Sequence, residues 1–477
     1  MKRSKPSPAE GDFLFEIDTE PAPERLTSYA GAPILIRTLR SLGIAQSVEQ
    51  HIHIKKRARG FDEASFVESF VLLNGVGGEC LDDFDQLRAD AGLALMLGHE
   101  IPSPNAARNF LYEFHDDSRV DDAKQQSALA GMKAYIPGEN GALSGLGLVN
   151  RDLVQEVGRR CPEQKVATVD QDATIIESRK QEALRGYEGE RGYQPMLAVW
   201  AEMNLVLADE FRDGNVPAMY QGLTAAKAAF ASLPATVNEY YFRGDSACHE
   251  HELIDWLRDE KRQDGPQGFI GFGVSARMSS ALRVAVSAVP EAQWEAYGKP
   301  DAEVTRECAD VTFVPNEHSE HKDTQPLRYI AIRIRPRQGG LLNDGSEAKH
   351  FAVVTNIRDW KPARLLQWHR EKAGTIEAVH DVLKNELAAG VLPCGRFGAN
   401  AAWLRLAVLT FNTLTALKRL ALPAELLQAR PKRLRFLFFH TAGRFVQHAR
   451  QTTLRLAMSM ARLAEYHLAL RLLPLGT

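Results

Sequence analysis

The sequence predicts an α/β protein, with a mixed sheet in the middle of the chain and helical regions on either side of it. Three observations carry this. Around Asp170 and Asp172 the chain is apolar and β-branched, with Val166, Thr168 and Val169 before them and Thr174, Ile175 and Ile176 after, the composition of a buried strand. Further strand-like runs follow at 193–203 and 205–211 and at Tyr240, Tyr241 and Phe242. An alanine-rich helical stretch at 224–233 separates them, and a helix at 251–259 comes after. The flanks carry apolar residues at helical spacing: Ile34, Leu35, Leu39 and Leu42 near the start, then Trp403, Leu406, Leu409, Leu414 and Leu417, with a second stripe at 452–472.

With 477 residues, 44% of them hydrophobic, the chain has room for sizeable cores and two to four domains. The divisions read as a disordered tail at 1–20, a helical, DNA-binding region at 21–150, the sheet domain at 151–390 and a basic helical region at 391–477. Within the sheet domain, about 262–348 reads as a β-rich insertion. The net charge of -3 hides an asymmetry. From Val391 onward there are 13 Lys and Arg against two acids, Glu425 and Glu465, which is +11, so the preceding residues carry -14. A basic end on an acidic body suggests a polyanion partner. The five cysteines, at 80, 161, 248, 308 and 394, form no CxxC pair, which argues against a zinc ribbon or a disulfide framework and fits a cytoplasmic protein. No stretch reaches the ~18 apolar residues of a membrane span, so no membrane is expected.

Three acids stand in a telling order: Asp172 on the first strand, Asp245 at the end of a later strand, and Glu377 on a helix that follows a strand at 351–357. This is the order of a ribonuclease-H-like sheet, in which acids converge at one edge. Two divalent ions about 4 Å apart then serve in-line phosphoryl transfer. Mg²⁺ takes oxygen ligands and keeps several waters, so few carboxylates suffice. Taken alone the triple is a weak signal, since 61 acidic residues offer many such sets. Other chemistries fare worse. Cys248, His249, Glu250 and His251 lack the spacing of a zinc site, and no GxSxG elbow or Walker glycine loop is present.

The residues around the acids sharpen the reading. They are Thr168 to Thr174, then Gln181, Glu182, Ala183 and Tyr187, and Arg191 to Leu197. Asp213, Gly214 and Asn215 follow, then Phe242 to Ser246, Val354 to Ile357, Gly374 to Glu377, and Lys384 to Leu387. Together they resemble bacterial insertion-sequence DDE transposases over about 167–417. The likeness is greatest to the insertion sequence thirteen-eighty group, related to the transposases with a YREK signature. The resemblance implies cut-and-paste DNA transposition, with Asp172, Asp245 and Glu377 as catalytic and metal ligands for two Mg²⁺ or Mn²⁺ ions. It implies transposon terminal inverted repeats and target DNA as partners, a homodimer in the DNA complex, and a bacterial cytoplasmic protein at the nucleoid. Glu377 and Lys384 keep their places in that signature, whereas Arg370 stands at its Tyr position and Ala373 at its Arg position. Arg370 or Lys372 is then the candidate for the missing phosphate contact.

Helix spacing adds that Glu377, His380, Asp381 and Lys384 share one face, as a phosphate-holding site or as an ordinary salt-bridge row. Asp170 and Asp172 point to the same face of their strand, ~7 Å apart. Geometry admits either as ligand, and the D-x-T pattern of the resemblance assigns Asp172. Two aspartates so placed repel unless compensated. Basic residues Lys55 to Arg59 read either as a phosphate contact or as a solvated loop. Lys432, Arg433 and Arg435, beside Phe436, Phe438 and Phe439, read either as DNA-binding or as a solvated basic face. Trp294 is either core or a base-stacking residue. Two other functions share these features: a metal nuclease that cuts without joining, and a transposase-derived DNA-binding protein that has lost catalysis.

Overall fold

The computed structural model describes residues 25–54, 60–186, 189–299, 301, 303–315, 325–336, 348–449 and 451–474. The expected tail at 1–20, the cluster Lys55 to Arg59 and Tyr187 lie outside the described residues. In chain order the strands are β1 (Leu26–Thr27), β2 (Val166–Ala173), β3 (Ile176–Glu177), β4 (Leu184–Arg185), β5 (Arg191–Tyr193), β6 (Met196–Trp200), β7 (Leu205–Glu210), β8 (Glu239–Gly244), β9 (Ile270–Ser275), β10 (Glu295–Ala296), β11 (Val304–Val311), β12 (Arg328–Pro336), β13 (Lys349–Thr355), β14 (Gly443–His448) and β15 (Gln451–Leu456). The helices are α1 (Pro33–Ser41), α2 (Ile44–His51), α3 (Glu63–Val76), α4 (Asp83–Ala89), α5 (Ala91–Leu97), α6 (Pro104–Tyr112), α7 (Asp117–Leu129), α8 (Gly141–Arg160), α9 (Gly222–Ser232), α10 (His251–Arg258), α11 (Ser280–Ser287), α12 (Pro362–Glu386), α13 (Phe397–Leu420), α14 (Pro431–Leu434) and α15 (Met460–Leu472).

Strand β2 forms where its β-branched residues predict, and the main sheet grows outward from it. Nine strands lie in the order β10-β11-β12-β13-β9-β8-β2-β6-β7. On one side of β2, strands β6 and β7 run antiparallel in a meander. On the other, β8 is parallel to β2 and β9 parallel to β8. The five strands β7-β6-β2-β8-β9 have the order and directions of a ribonuclease-H-like core.

The expected β-rich insertion joins the main sheet through its strands. Strand β9, expected inside it, is the fifth core strand, and β13 pairs antiparallel with β9 from Val353 opposite Ser275 to Thr355 opposite Gly273. Strands β12, β11 and β10 continue outward from β13, covering an edge that would otherwise present unpaired backbone groups. The structure requires the glycines of β9: a Cβ at Gly271 would come within 2.7 Å of the Tyr241 ring.

Helix α13 forms where the apolar stripe from Trp403 to Leu417 predicts, and every residue from 398 to 418 is buried. It packs against α1, α3, α6 and α8 on one side and β7 on the other, and so joins the N-terminal helices to the sheet. Its polar residues are matched to that position. Asn412 accepts from the Val206 amide (2.8 Å) and donates to the Val206 carbonyl (2.8 Å) and to Asn150 Oδ1 (2.7 Å), satisfying the outer edge of β7 as a neighbouring strand would. Arg405, 4% exposed, bonds both Asp209 oxygens (3.1 and 3.0 Å) and Glu139 (2.9 and 3.2 Å).

The expected helical stripe at 452–472 divides. β15 occupies its first residues, where Thr452 and Thr453 are β-branched, and pairs with β14, which in turn pairs with β1. Only Met460–Leu472 is helical, capped by Ser459 accepting from the Arg462 amide.

Arg405 links three parts of the fold through buried charge, and breaking such a pair from one side leaves carboxylates stranded. Arg405→Leu is expected to destabilise the chain by about 3–5 kcal/mol. A thermal melt of the purified variant within about one degree of wild type would show that the cluster holds nothing together.

Candidate active site

The parallel register between β2 and β8 decides where the first two acids lie. Gln171 stands opposite Gly244, so Asp172 and Asp245 sit next along at the C-terminal ends of adjacent strands. Helix α12 crosses those ends and brings Glu377 and Lys384. A cavity of about 540 Å³ between α8, α9 and β7 contains none of the three acids.

Asp170 and Asp172 belong to one strand but have separate cations. Asp170 is fully buried and receives both Nε (2.6 Å) and one terminal nitrogen (2.9 Å) of Arg243 on β8. The other terminal nitrogen of Arg243 donates to the Trp368 carbonyl (2.5 Å), and Thr375 Oγ1 donates to Asp170. Asp170 is therefore a structural carboxylate joining β2, β8 and α12. The expected repulsion between the two aspartates is absent because each is neutralised by its own base. For Asp172 the base is Lys372, whose Nζ lies 3.0 Å from Oδ2.

Asp245 accepts from the Ala247 amide (3.0 Å), capping the short 3₁₀ turn Ser246–Cys248. The residue before it is held by His369, whose Nε2 donates to the Gly244 carbonyl (3.1 Å). Burial, assisted by the Lys372 and Arg243 charges, pushes the His369 imidazole down to about 4, so it is neutral and donates steadily at physiological pH. Cys248, between the two strand ends, has its thiol pushed up by burial and by the Asp245 and Asp172 charges, and is inert. Glu377 is exposed on α12 and has no hydrogen-bond or ion-pair partner among the described residues. Lys384, seven residues on, donates from Nζ to Thr174 Oγ1 (2.9 Å), anchoring the threonine of the D-x-T pattern. Among the described residues no three His, Cys, Asp or Glu side chains come close enough to hold a metal together. Asp172 and Asp245 are neighbours at the strand ends, then, and the ammonium of Lys372 reaches Asp172 from the helix, whereas Glu377 stands exposed on α12 and is not brought together with the two aspartates.

The remaining predicted residues divide by what they touch. Arg370 reaches Tyr297, after β10, as a hydrogen-bond donor, so it faces the added strands. Lys372 is 8% exposed and is engaged by Asp172, not presented to a phosphate. Arg435 is likewise drawn inward: it donates to the carbonyls of Asn74 (2.8 Å), Gly75 (3.0 Å) and Glu386 (2.5 Å), clamping the C-terminal ends of α3 and α12. Lys432 and Arg433 are exposed, Arg433 over the open ring of Phe436 at 5.7 Å. Of the helix row, Asp381 pairs with Arg430 (2.5 Å) rather than with Lys384. His380 is buried with neither ring nitrogen bonded, and burial takes it down to about 3. Trp294 stacks under Arg333, 4.1 Å from ring to guanidinium, in the added strands. Sequence reasoning missed Arg243, Thr375 and His369. The first two lie inside the recognised blocks at 242–246 and 374–377, and nothing local announces their partner.

The block Asp213, Gly214 and Asn215 builds a turn behind the site. The Gly214 amide donates to the Gly192 carbonyl (3.0 Å), and Asn215 donates to the Lys133 carbonyl (2.9 Å). Burial raises the Asp213 carboxyl to about 7, with Lys124 offsetting only part of it. A carboxyl raised on folding holds a proton that the unfolded chain has lost, so stability declines as pH rises from about 4 to about 7. Asp213→Asn is expected to remove that part of the decline and to raise the melting temperature at pH 8 relative to wild type. Parallel melting curves across this range, with no narrowing of the gap between the proteins at low pH, would refute it.

The Arg243 pair yields a second expectation. Arg243→Met leaves Asp170 buried and unpaired and should cost about 3–5 kcal/mol, whereas adding Asp170→Leu to it should recover much of the loss. Strictly additive losses in the double variant would mean the two residues do not act as a pair.

The family model described as transposase DDE domain group 1 matches residues 15–476. No curated protein matches. Among solved structures, the cryo-EM structure of piggyBac transposase synaptic complex with hairpin DNA aligns with 11% identity and a TM-score of 0.45, covering 85% of this chain and 78% of that one. The family match spans nearly the whole chain, including both strand-end aspartates and the helix that crosses them: the chain belongs to the transposase DDE domain group 1 family and is a DDE transposase.

Proposed function

We propose that this enzyme carries out cut-and-paste transposition of a bacterial insertion sequence, cleaving DNA at terminal inverted repeats and joining the freed 3′-hydroxyl to target DNA. Asp172, Asp245 and Glu377 are its triad. The observation that carries the reading is the β2–β8 register, which sets two aspartates side by side at parallel strand ends under a helix bearing Glu377 and Lys384.

The donors suit a hard divalent cation such as Mg²⁺ or Mn²⁺. They are all carboxylates, and a lysine ammonium already stands against one of them as a substitute positive charge. Bound there, such ions lower the pKa of the attacking water or hydroxyl and stabilise the leaving oxygen. The chain's own residues do the positioning. Arg243 and Thr375 fix the helix against β2 through Asp170, and His369 fixes the backbone just before Asp245. Lys384 holds Thr174, two residues beyond Asp172, and places a cation near the strand end. For the DNA surface, the exposed cations without an acidic partner among the described residues include Lys432, Arg433, Arg444 and Arg455. Arg444 stands directly across from Arg455 on neighbouring strands, a like-charge pair that an anion would relieve. A homodimer holding both transposon ends completes the reading.

In strand-cleavage assays on DNA carrying the element's ends, Asp172→Asn, Asp245→Ala and Glu377→Ala should each fall to background while end binding persists. Asp170→Asn should retain measurable cleavage. Full cleavage by an Asp172, Asp245 or Glu377 variant removes that residue from the site, and cutting without joining by wild type makes the enzyme a nuclease only. Changing Lys432 and Arg433 together to Ala should weaken DNA binding and flatten its salt dependence by about one slope unit for each phosphate no longer neutralised. An unchanged slope would place these two side chains away from DNA.

A further inference from the structure

We propose that Lys372 is a built-in substitute for the metal: it neutralises Asp172 in the metal-free enzyme and must withdraw for a divalent cation to bind. The proposal rests on the metal reading of the acids and concerns how that site is kept and opened.

The helix position itself is the first argument. The face of α12 that packs on the sheet is built from Leu365, Leu366, Ile376, Val379, Val382 and Leu383, and Lys372 lies among these buried residues. A lysine in such a stripe loses its hydration and is tolerated only against a negative partner. That partner is Asp172, 3.0 Å away, with the lysine side chain 10% and the aspartate side chain 20% exposed. The other aspartate of the strand cannot serve, because Asp170 is saturated by Arg243 and Thr375.

The surroundings give the second argument. The groups that feel the Lys372 charge include His369, His380 and Cys248. Both histidines are held neutral, the thiol stays protonated, and Arg243 is matched by Asp170. Near the strand ends the negative charge comes from Asp172 and Asp245, and of the bases there, Lys384 holds Thr174 and Arg277 holds the Ser246 carbonyl, while the Lys372 ammonium is the one paired with Asp172. A divalent ion on Asp172 would sit within a few ångströms of that ammonium and repel it. Lysine can yield without moving the fold. Its stem is flexible, whereas α12 is pinned to β2 and β8 through Arg243, Thr375 and the Trp368 carbonyl, none of which involves the Lys372 side chain. The apparent metal affinity of the enzyme is therefore set partly by a side chain that is not a ligand.

The test uses the full-length enzyme without DNA and Mn²⁺ as the probe, with free Mn²⁺ read by electron paramagnetic resonance and folding read by thermal melts. Lys372→Met should bind Mn²⁺ at least about tenfold more tightly than wild type, because a competing unit charge at close range is gone. It should also melt lower than wild type without metal and regain most of the difference when metal is added. Lys372→Arg keeps the charge and should show no gain in affinity. A folded Lys372→Met with wild-type Mn²⁺ affinity overturns the proposal, as does a loss of stability that Mn²⁺ does not restore. Should Lys372→Met fail to fold, wild type decides. Acetylation mapped by mass spectrometry should find Lys372 protected without metal and reactive at saturating Mn²⁺, and unchanged protection overturns the proposal. If neither wild type nor Lys372→Met binds Mn²⁺, the metal reading of the acids falls and this proposal with it. Binding by wild type that Lys372→Met leaves unaltered defeats this proposal alone.

Discussion

One buried guanidinium organises the catalytic centre. Arg243 lies on β8, pairs with Asp170 on β2, donates to the Trp368 carbonyl on α12 and stacks its charge over the Trp368 ring, 5.3 Å from its centre. Those three elements are the ones that carry Asp245, Asp172 and Glu377. The carboxylates proposed for catalysis need access to water, which makes them poor at holding a fold together. The chain separates the tasks: Asp170, two residues from Asp172, takes the structural pairing with Arg243, and Asp172 has a lysine as its partner instead. Buried pairs of this kind contribute little net stability but penalise any arrangement that breaks them, so they favour one alignment of strand and helix over its neighbours.

A second constraint acts at the far edge of the sheet. Strand β7 ends the meander, and an unpaired edge there would be open to chance association. Helix α13 closes it with a side chain where another strand would use backbone, Asn412 bonding both polar groups of Val206. Asn150 on α8 joins the same carbonyl, so three elements from distant parts of the chain meet at one peptide unit. The N-terminal helices and the sheet are consequently one packed body around α13, not modules on linkers.

Much of this is legible in the sequence, and the limits have a physical pattern. The strands around the acids, helix α12 and the acid order follow from β-branched composition, periodicity and motif spacing, all local properties. What escapes is partner choice across the chain. Asp170 and Asp172 look alike locally, and only the fold reveals that one meets Arg243, 73 residues on, and the other Lys372 on a helix 200 residues on. The basic count beyond 391 misleads for the same reason. Arg405 and Arg435 are bound to interior carboxylates and helix-end carbonyls, and Lys418 and Arg419 donate to backbone carbonyls, so charge that reads as a DNA surface partly serves to hold the core. The stretch 268–274 reads as a strand within the insertion; its place as the fifth core strand depends on pairing with β8, and its glycines are needed beneath Tyr241 and Trp368.

The electrostatic asymmetry can then be placed more narrowly. With the interior bases set aside, the remaining exposed cations of the C-terminal region include Lys432 and Arg433 on α14 and Arg444 and Arg455 on the β14–β15 hairpin, with Arg396 before α13 and Arg471 at the end of α15. The hairpin is bound to β1 at the other end of the chain, so its strands gain order from a pairing that leaves Arg444 and Arg455 side by side. Two arginines so placed weaken a hairpin that had only itself to consider. In a chain that otherwise matches nearly every buried charge with a partner, an unmatched pair on an exposed sheet face is consistent with selection by something outside the fold, and a phosphate backbone has the charge to supply it.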